Sequence, residues 1–159
     1  MDEQYLTAYA KTFLERHYNV KLTIPVVRNN RLRTSLGRFV VSANGTPLRI
    51  ELSGNVLTYG AESVILGVLR HECIHYAFFK RGIFDTDGDP LFERALRKHR
   101  APSSRTLKVG RFFRFQCVRC GSIGETTVKR VRQNPTSYLS KCCQANIELI
   151  GEKVYDGLT

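Results

Sequence analysis

His71, Glu72 and His75 spell H-E-x-x-H, and a motif of that shape constrains the fold because it works only on a helix. An α-helix turns once in about 3.6 residues, so side chains four apart share a face. His71 and His75 can then both present a ring nitrogen to one metal ion, while Glu72, angularly displaced, reaches a bound water rather than the metal. Two imidazoles with open coordination positions suit Zn²⁺, which lowers the pKa of its water to about 7. A carboxylate alongside can take that water's proton as it attacks a carbonyl. The flanking residues agree with this placement, since Val64, Val68, His71 and His75 fall at i, i+4, i+7 and i+11 of one stripe. An unpartnered polar ring on an apolar, core-facing stripe is costly, which favours metal ligands over ordinary polar residues.

The rest of the chain suits an intracellular enzyme-sized fold. Its 159 residues, 42% of them hydrophobic, fit one domain or one domain with a small appendage. No apolar run approaches the ~20 residues of a membrane helix, and the Met1-Asp2-Glu3-Gln4 start lacks a signal peptide's basic-then-apolar order. A soluble, cytoplasmic protein is expected. Five cysteines, an odd number, do not make a complete disulfide scheme, and in a reducing compartment metal binding explains them better.

The formal net charge of +11 is unevenly placed. Twelve Lys or Arg residues and one acid, Glu125, lie between Arg94 and Arg132, whereas Gly82 to Glu93 carries four acids and no base. Such a basic block suggests a polyanion partner, most simply DNA or RNA, against the plainer reading of a solvated face. Lys108, Arg111, Arg114, Arg119, Lys129, Arg130 and Arg132 are the candidate contacts. Phe112, Phe113, Phe115 and Tyr138 interleave them, either as stacking platforms for single strands or as strand-core residues.

Hydrophobic periodicity predicts a helix over residues 2–18 and a β-like stretch over Val20–Val27, with Pro25 suggesting an edge or bulge. Arg38–Val41 and Leu48–Leu52 flank an Asn44-Gly45 turn as a hairpin. Ser63 to about Arg81 is the motif helix, ended by Gly82, and an acidic loop leads to a helix over Leu91–Arg100. The polar break Ala101–Ser104 divides residues 1–101 from a strand- and cysteine-bearing module over 105–159.

Cys117-x-x-Cys120-Gly121 is a zinc-knuckle pattern, with Cys142 and Cys143 following after a basic strand and an Asn134-Pro135 turn. Four sulfurs make a closed structural site. The adjacency of Cys142 and Cys143 is unusual, because neighbouring side chains diverge in extended backbone, so both bind only if the chain bends. Cys73, inside the helical motif, reads as a small buried residue.

A catalytic zinc usually has three protein ligands. His17 and His99 are poorly placed for the third, and the acidic loop offers Asp85, Asp87 and Asp89.

The order of elements resembles the SprT-like family. It runs from Arg31-Leu32-Arg33-Thr34 and Gly37, through Leu48–Leu52 and Val68-Leu69-Arg70-His71-Glu72-x-x-His75-Tyr76, to Gly82, Phe92 and the cysteine ribbon. Bacterial members are small cytoplasmic proteins with a predicted zinc site, related to Spartan-type proteases that digest proteins crosslinked to DNA. The resemblance implies an α+β fold: a zincin-like metalloprotease core, with a small antiparallel sheet beside the active-site helix, and a C-terminal β-rich zinc ribbon. It also implies His71 and His75 as ligands, Glu72 as catalytic base, and a third histidine in the loop before an aromatic. An ungapped count puts that ligand at Asp87 and the aromatic at Phe92, so the third ligand expected here is Asp87, with Asp89 and Asp85 behind it.

Two functions remain in view. One is a zinc metallopeptidase, with one catalytic-type and one structural zinc, acting on protein near nucleic acid, DNA favoured. The alternative, which the absence of a third histidine supports, is a non-catalytic, zinc-stabilised protein that binds nucleic acid or regulates.

Overall fold

The computed structural model describes residues 1–84, 86–103 and 107–158, arranged in two compact units, Met1–Val109 with Asp156–Thr159 and Gly110–Tyr155. Of the expected break Ala101–Ser104, Ser104 lies outside the described residues.

The first unit is α+β. Helix α1 (Glu3–Tyr18) starts where the Asp2 carboxylate accepts the Tyr5 N–H and ends at Asn19, whose φ of 51° turns the chain out of the helix. Its apolar face, Leu6, Ala10, Phe13 and Leu14, repeats at helical spacing and packs on the long helix α3 (Glu62–Lys80). Three strands, β1 (Val26–Asn29), β2 (Gly37–Val41) and β3 (Pro47–Ser53), form a sheet in the order β1-β3-β2. The sheet is mixed, not antiparallel as expected. β2 and β3 make the antiparallel hairpin, but β1 runs parallel to β3 because β2, which lies between them in sequence, takes the far edge.

Val20 to Pro25 is not part of that sheet. Val20, Leu22 and Ile24 are buried in alternation, which produced the strand-like pattern, but the backbone of Lys21 and Thr23 between them bonds a side chain and not a neighbouring strand. The hydroxyl of fully buried Tyr76 on α3 accepts the Thr23 N–H at 3.2 Å and donates to the Lys21 carbonyl at 3.1 Å. The ladder with β3 is entered at Pro25, which has no N–H to give but whose carbonyl accepts the Ile50 N–H at 2.9 Å, just ahead of β1.

A short helix α2 (Gly54–Tyr59), capped by Ser53, leads into α3, and α4 (Pro90–Lys98) starts on the Asp89 cap with Pro90 in its first turn. The C-terminal residues return to this unit: the Ala61 N–H bonds the Asp156 carbonyl ahead of α3, and Gly157 lies so close that a Cβ there would sit 2.7 Å from Val64.

The second unit is a three-stranded sheet, β5-β4-β6, of β4 (Val109–Cys117), β5 (Ile123–Thr126) and β6 (Ile147–Asp156). Between β5 and β6 the basic segment is a short helix, α5 (Lys129–Gln133), where a basic strand was expected. Its Lys, Arg and Gln side chains are straight-chain helix formers and none of its residues is buried, so nothing holds them in a ladder. Among the described residues no helix is long and apolar enough to cross a membrane.

Candidate functional site

Most of α3 is buried on all sides, and His71 and Glu72 are carried into that interior with it. The ring centroids of His71 and His75 are 5.0 Å apart, one helical turn along the same face. His71 is 6% exposed, and its Nδ1 lies 2.7 Å from the Pro102 carbonyl oxygen. A carbonyl can only accept, so Nδ1 carries the proton and Nε2 keeps its lone pair. Phe92 fixes the ring planes. It is fully buried on α4, stacks on His75 at 4.0 Å and meets His71 edge-on at 5.2 Å.

Asp87 completes the group. It sits in a turn closed by the Asp89 N–H on the Thr86 carbonyl, and the next residue, Gly88, has a φ of 93° that glycine adopts freely. Asp87 Oδ1 is 3.2 Å from His71 Nε2 and 3.1 Å from His75 Nε2. One ligand atom from each of the three residues lies within 4.8 Å of the others. The three side chains converge on one point, a group that can hold a metal ion. Burial, the largest influence, together with the neighbouring His75, holds His71 below its ordinary pKa, against the pull of Pro102 and Asp87. The neutral, ligating form of the ring is thereby favoured. A two-histidine, one-carboxylate set fits Zn²⁺.

Glu72 points to the side, under β2. It is 7% exposed, and burial, reinforced by the Asp87 charge, pushes its carboxyl up to about 8, while the Phe39 N–H stabilises the anion. Metal-free, it is mostly protonated at neutral pH; a cation at the neighbouring donors favours the carboxylate.

The remaining candidate carboxylates and histidines do not converge there. Asp89 caps α4 by accepting the Leu91 N–H at 3.1 Å, and Asp85 lies outside the described residues. His17 and His99 face one another, centroids 4.7 Å apart, in an aromatic cluster with Phe13 and Tyr18. Sequence reading missed the Pro102 carbonyl and the Phe39 N–H, since backbone groups carry no residue signature.

In the second unit Cys117, Cys120, Cys142 and Cys143 present four sulfurs within 4.8 Å of one another, a group that can hold a metal ion. Two similar turns bring them together. The Gly121 N–H bonds the Cys117 carbonyl, and the Gln144 N–H bonds the Ser140 carbonyl, with φ of 76° at Gly121 and 53° at Gln144. Ser140 thus stands in the second turn where Cys117 stands in the first, and Cys142 supplies the displaced sulfur. This bend is what adjacent cysteines needed. The Ser140 Oγ, 3.2 Å from Cys117 Sγ, with backbone N–H groups, holds the Cys117 thiol down to about 6 despite opposing burial. Its neighbours, Cys120 foremost, push Cys143 up to about 12. Four thiolates do not coexist there without a cation, and four sulfurs suit structural zinc. Cys73 is fully buried and belongs to neither group.

Of the basic candidates, Lys108 belongs to the first unit and the other six to the second. Arg111 and Arg132 both pair with Glu152, at 3.6 and 3.4 Å, and Arg114 pairs with Glu125 at 3.5 Å. Among the described residues no such ion pair involves Arg119, Lys129 or Arg130.

Comparison with known proteins agrees across most of the sequence. The chain is 26% identical to Protein SprT-like of Bacillus cereus over 157 residues, covering 96% of this chain and 99% of that one. Against Protein SprT-like of Lactiplantibacillus plantarum it is 31% identical over 130 residues, covering 77% and 81%. The Bacillus subtilis Protein SprT-like is 23% identical over 155 residues, covering 94% and 99%. No solved structure matches the chain. Residues 3–106 match the profile of the SprT-like family, and the chain belongs to that family.

Proposed function

We propose that this protein is a zinc-dependent metallopeptidase that acts on protein held near nucleic acid, DNA-bound or DNA-crosslinked protein being the favoured substrate. The observation that carries this reading is the convergence of His71, His75 and Asp87 beside a buried Glu72. His71, His75 and Asp87 would hold the zinc. When bound, zinc supplies Lewis acidity toward a scissile carbonyl and lowers the pKa of water to about 7. The Glu72 carboxylate accepts the proton of the attacking water and returns it to the leaving amine. Phe39 holds that carboxylate through its N–H, and Phe92 and Pro102 keep both imidazoles in the ligating orientation. The cysteine group would hold a second, structural zinc.

Association with nucleic acid rests on the basic residues of the second unit, chiefly Arg119, Lys129 and Arg130. A zinc-replete assay on a protein substrate, with and without single-stranded DNA, tests the whole. Glu72→Gln should retain two zincs per chain and lose cleavage, whereas Asp87→Ala should lose one zinc. Undiminished cleavage by the Glu72→Gln protein excludes the mechanism. Two zincs, DNA binding and no cleavage by the wild type would favour the non-catalytic alternative.

A further inference from the structure

We propose that Glu93 is a positioning residue for the helical metal site, locking two of its three donors through one carboxylate oxygen. The proposal rests on the reading that His71, His75 and Asp87 hold zinc. Glu93 lies one turn into α4, next to Phe92, and no ligand pattern in the sequence points to it. Its Oε1 accepts the Gly88 N–H at 3.2 Å and the Ser103 hydroxyl at 3.1 Å.

Each of those donors is one residue from a group that shapes the site. Gly88 follows Asp87 in the turn that aims the Asp87 carboxylate at both imidazoles. Ser103 follows Pro102, whose carbonyl sets the tautomer of His71 at 2.7 Å. Asp87 is half exposed on a loop and has little packing to hold it, so its place depends on the backbone of its turn. The segment after α4 is anchored to α3 a second time, because Arg70 Nη2 donates to the Arg100 carbonyl at 3.0 Å. Glu93 therefore joins the loop on one side of the donors to the segment on the other. Groups that orient ligands in this way typically change metal affinity about 10- to 100-fold when removed.

The bonds require an acceptor oxygen, not a charge, and that makes the test specific. Zinc affinity of the non-cysteine site is measured by chelator competition for the wild type, Glu93→Ala, Glu93→Gln and Ser103→Ala. Thermal unfolding of each metal-free protein is followed in parallel. Glu93→Ala should weaken zinc binding about tenfold or more, and Ser103→Ala should weaken it by less. Glu93→Gln, which keeps a carbonyl oxygen, should stay near wild type. Metal-free unfolding temperatures should change too little to account for the loss. Unchanged affinity in Glu93→Ala, or an equal loss in Glu93→Gln, overturns the positioning role while leaving the site itself standing. A wild type that takes up only the cysteine-bound zinc overturns both.

Discussion

Gly37 lies against Glu72: a Cβ built on the glycine would sit 2.9 Å from Glu72 Oε1 and 2.9 Å from a methyl of Val68. The edge strand β2 can pass this close to α3 only because position 37 has no side chain. Gly37→Ala gains about 0.5–1 kcal/mol from reduced chain entropy in a strand, but overpacking costs about 1–3 kcal/mol. The clash should win by a small margin. Stability should fall modestly, and cleavage should fall further, because the atom displaced first is the carboxylate. Thermal unfolding and turnover of the same preparation check this. A variant with lowered stability and intact turnover would show that Glu72 tolerates the shift.

Glu51 gives the fold a pH dependence separate from the site. It is 2% exposed on β3, and its carboxylate accepts from Asn29 at 2.9 Å, from Arg49 at 2.7 Å and from Arg38 at 2.8 and 3.1 Å. Burial raises its pKa, but these hydrogen bonds and the Arg38 charge outweigh burial and leave it below the ordinary 4.5. With the folded value depressed, the unfolded chain takes up the proton first as pH falls. The stabilisation is therefore complete above 4.5 and is lost progressively as pH drops through 4.5 toward the folded value. Glu51→Gln should cost about 1–2 kcal/mol at neutral pH and flatten the acid limb of the unfolding-temperature profile. Parallel acid limbs for wild type and variant would remove Glu51 from the account.

What the sequence made legible follows from which interactions are local. His71, Glu72 and His75 share one helix, so spacing alone sets their geometry. Asp87 is twelve residues beyond His75, and only the family resemblance singled it out among Asp85, Asp87 and Asp89. The long-range partners were invisible for a physical reason: Pro102 and Phe39 act through backbone groups that every sequence contains. The strand-like Val20–Pro25 misled because alternating burial needs only an extended chain, whereas a strand also needs a neighbour with free hydrogen-bonding groups. Order along the chain did not reveal that β3 would sit between β1 and β2, which made the sheet mixed.

The adjacent cysteines yield a prediction from the likeness of the two turns. Ser140 Oγ already lies 3.2 Å from Cys117 Sγ, so a sulfur at position 140 falls beside the cluster. Cys142→Ser should release the structural zinc or weaken it severely, since three sulfurs leave one position open. Adding Ser140→Cys to that variant should restore binding by recreating a spaced pair with Cys143. Zinc content after dialysis against a chelator measures both. If the double variant stays as metal-poor as Cys142→Ser, the second turn is not equivalent to the first.

Charge pairing within the second unit decides which basic residues are available to phosphate. Glu152 lies 3.6 Å from Arg111 Nε and 3.4 Å from Arg132 Nε, so two of the basic candidates spend part of their field on one carboxylate. Arg119, Lys129 and Arg130 are exposed and take part in no such pair among the described residues. Surface pairs of this kind are worth about 1 kcal/mol or less, so phosphate can displace them, but each must first be broken. Single-stranded DNA should then lose more affinity to Lys129→Ala with Arg130→Ala than to Arg111→Ala with Arg132→Ala. The first pair of changes should also flatten the slope of log affinity against log salt by roughly 1.4, about 0.7 for each phosphate no longer neutralised. Glu152→Gln should act in the opposite direction, tightening binding by freeing both arginines. Fluorescence anisotropy of a labelled oligonucleotide across a salt series reads all three. Affinity that ignores salt, or a Glu152→Gln protein that binds more weakly, would move the nucleic-acid interface away from this surface.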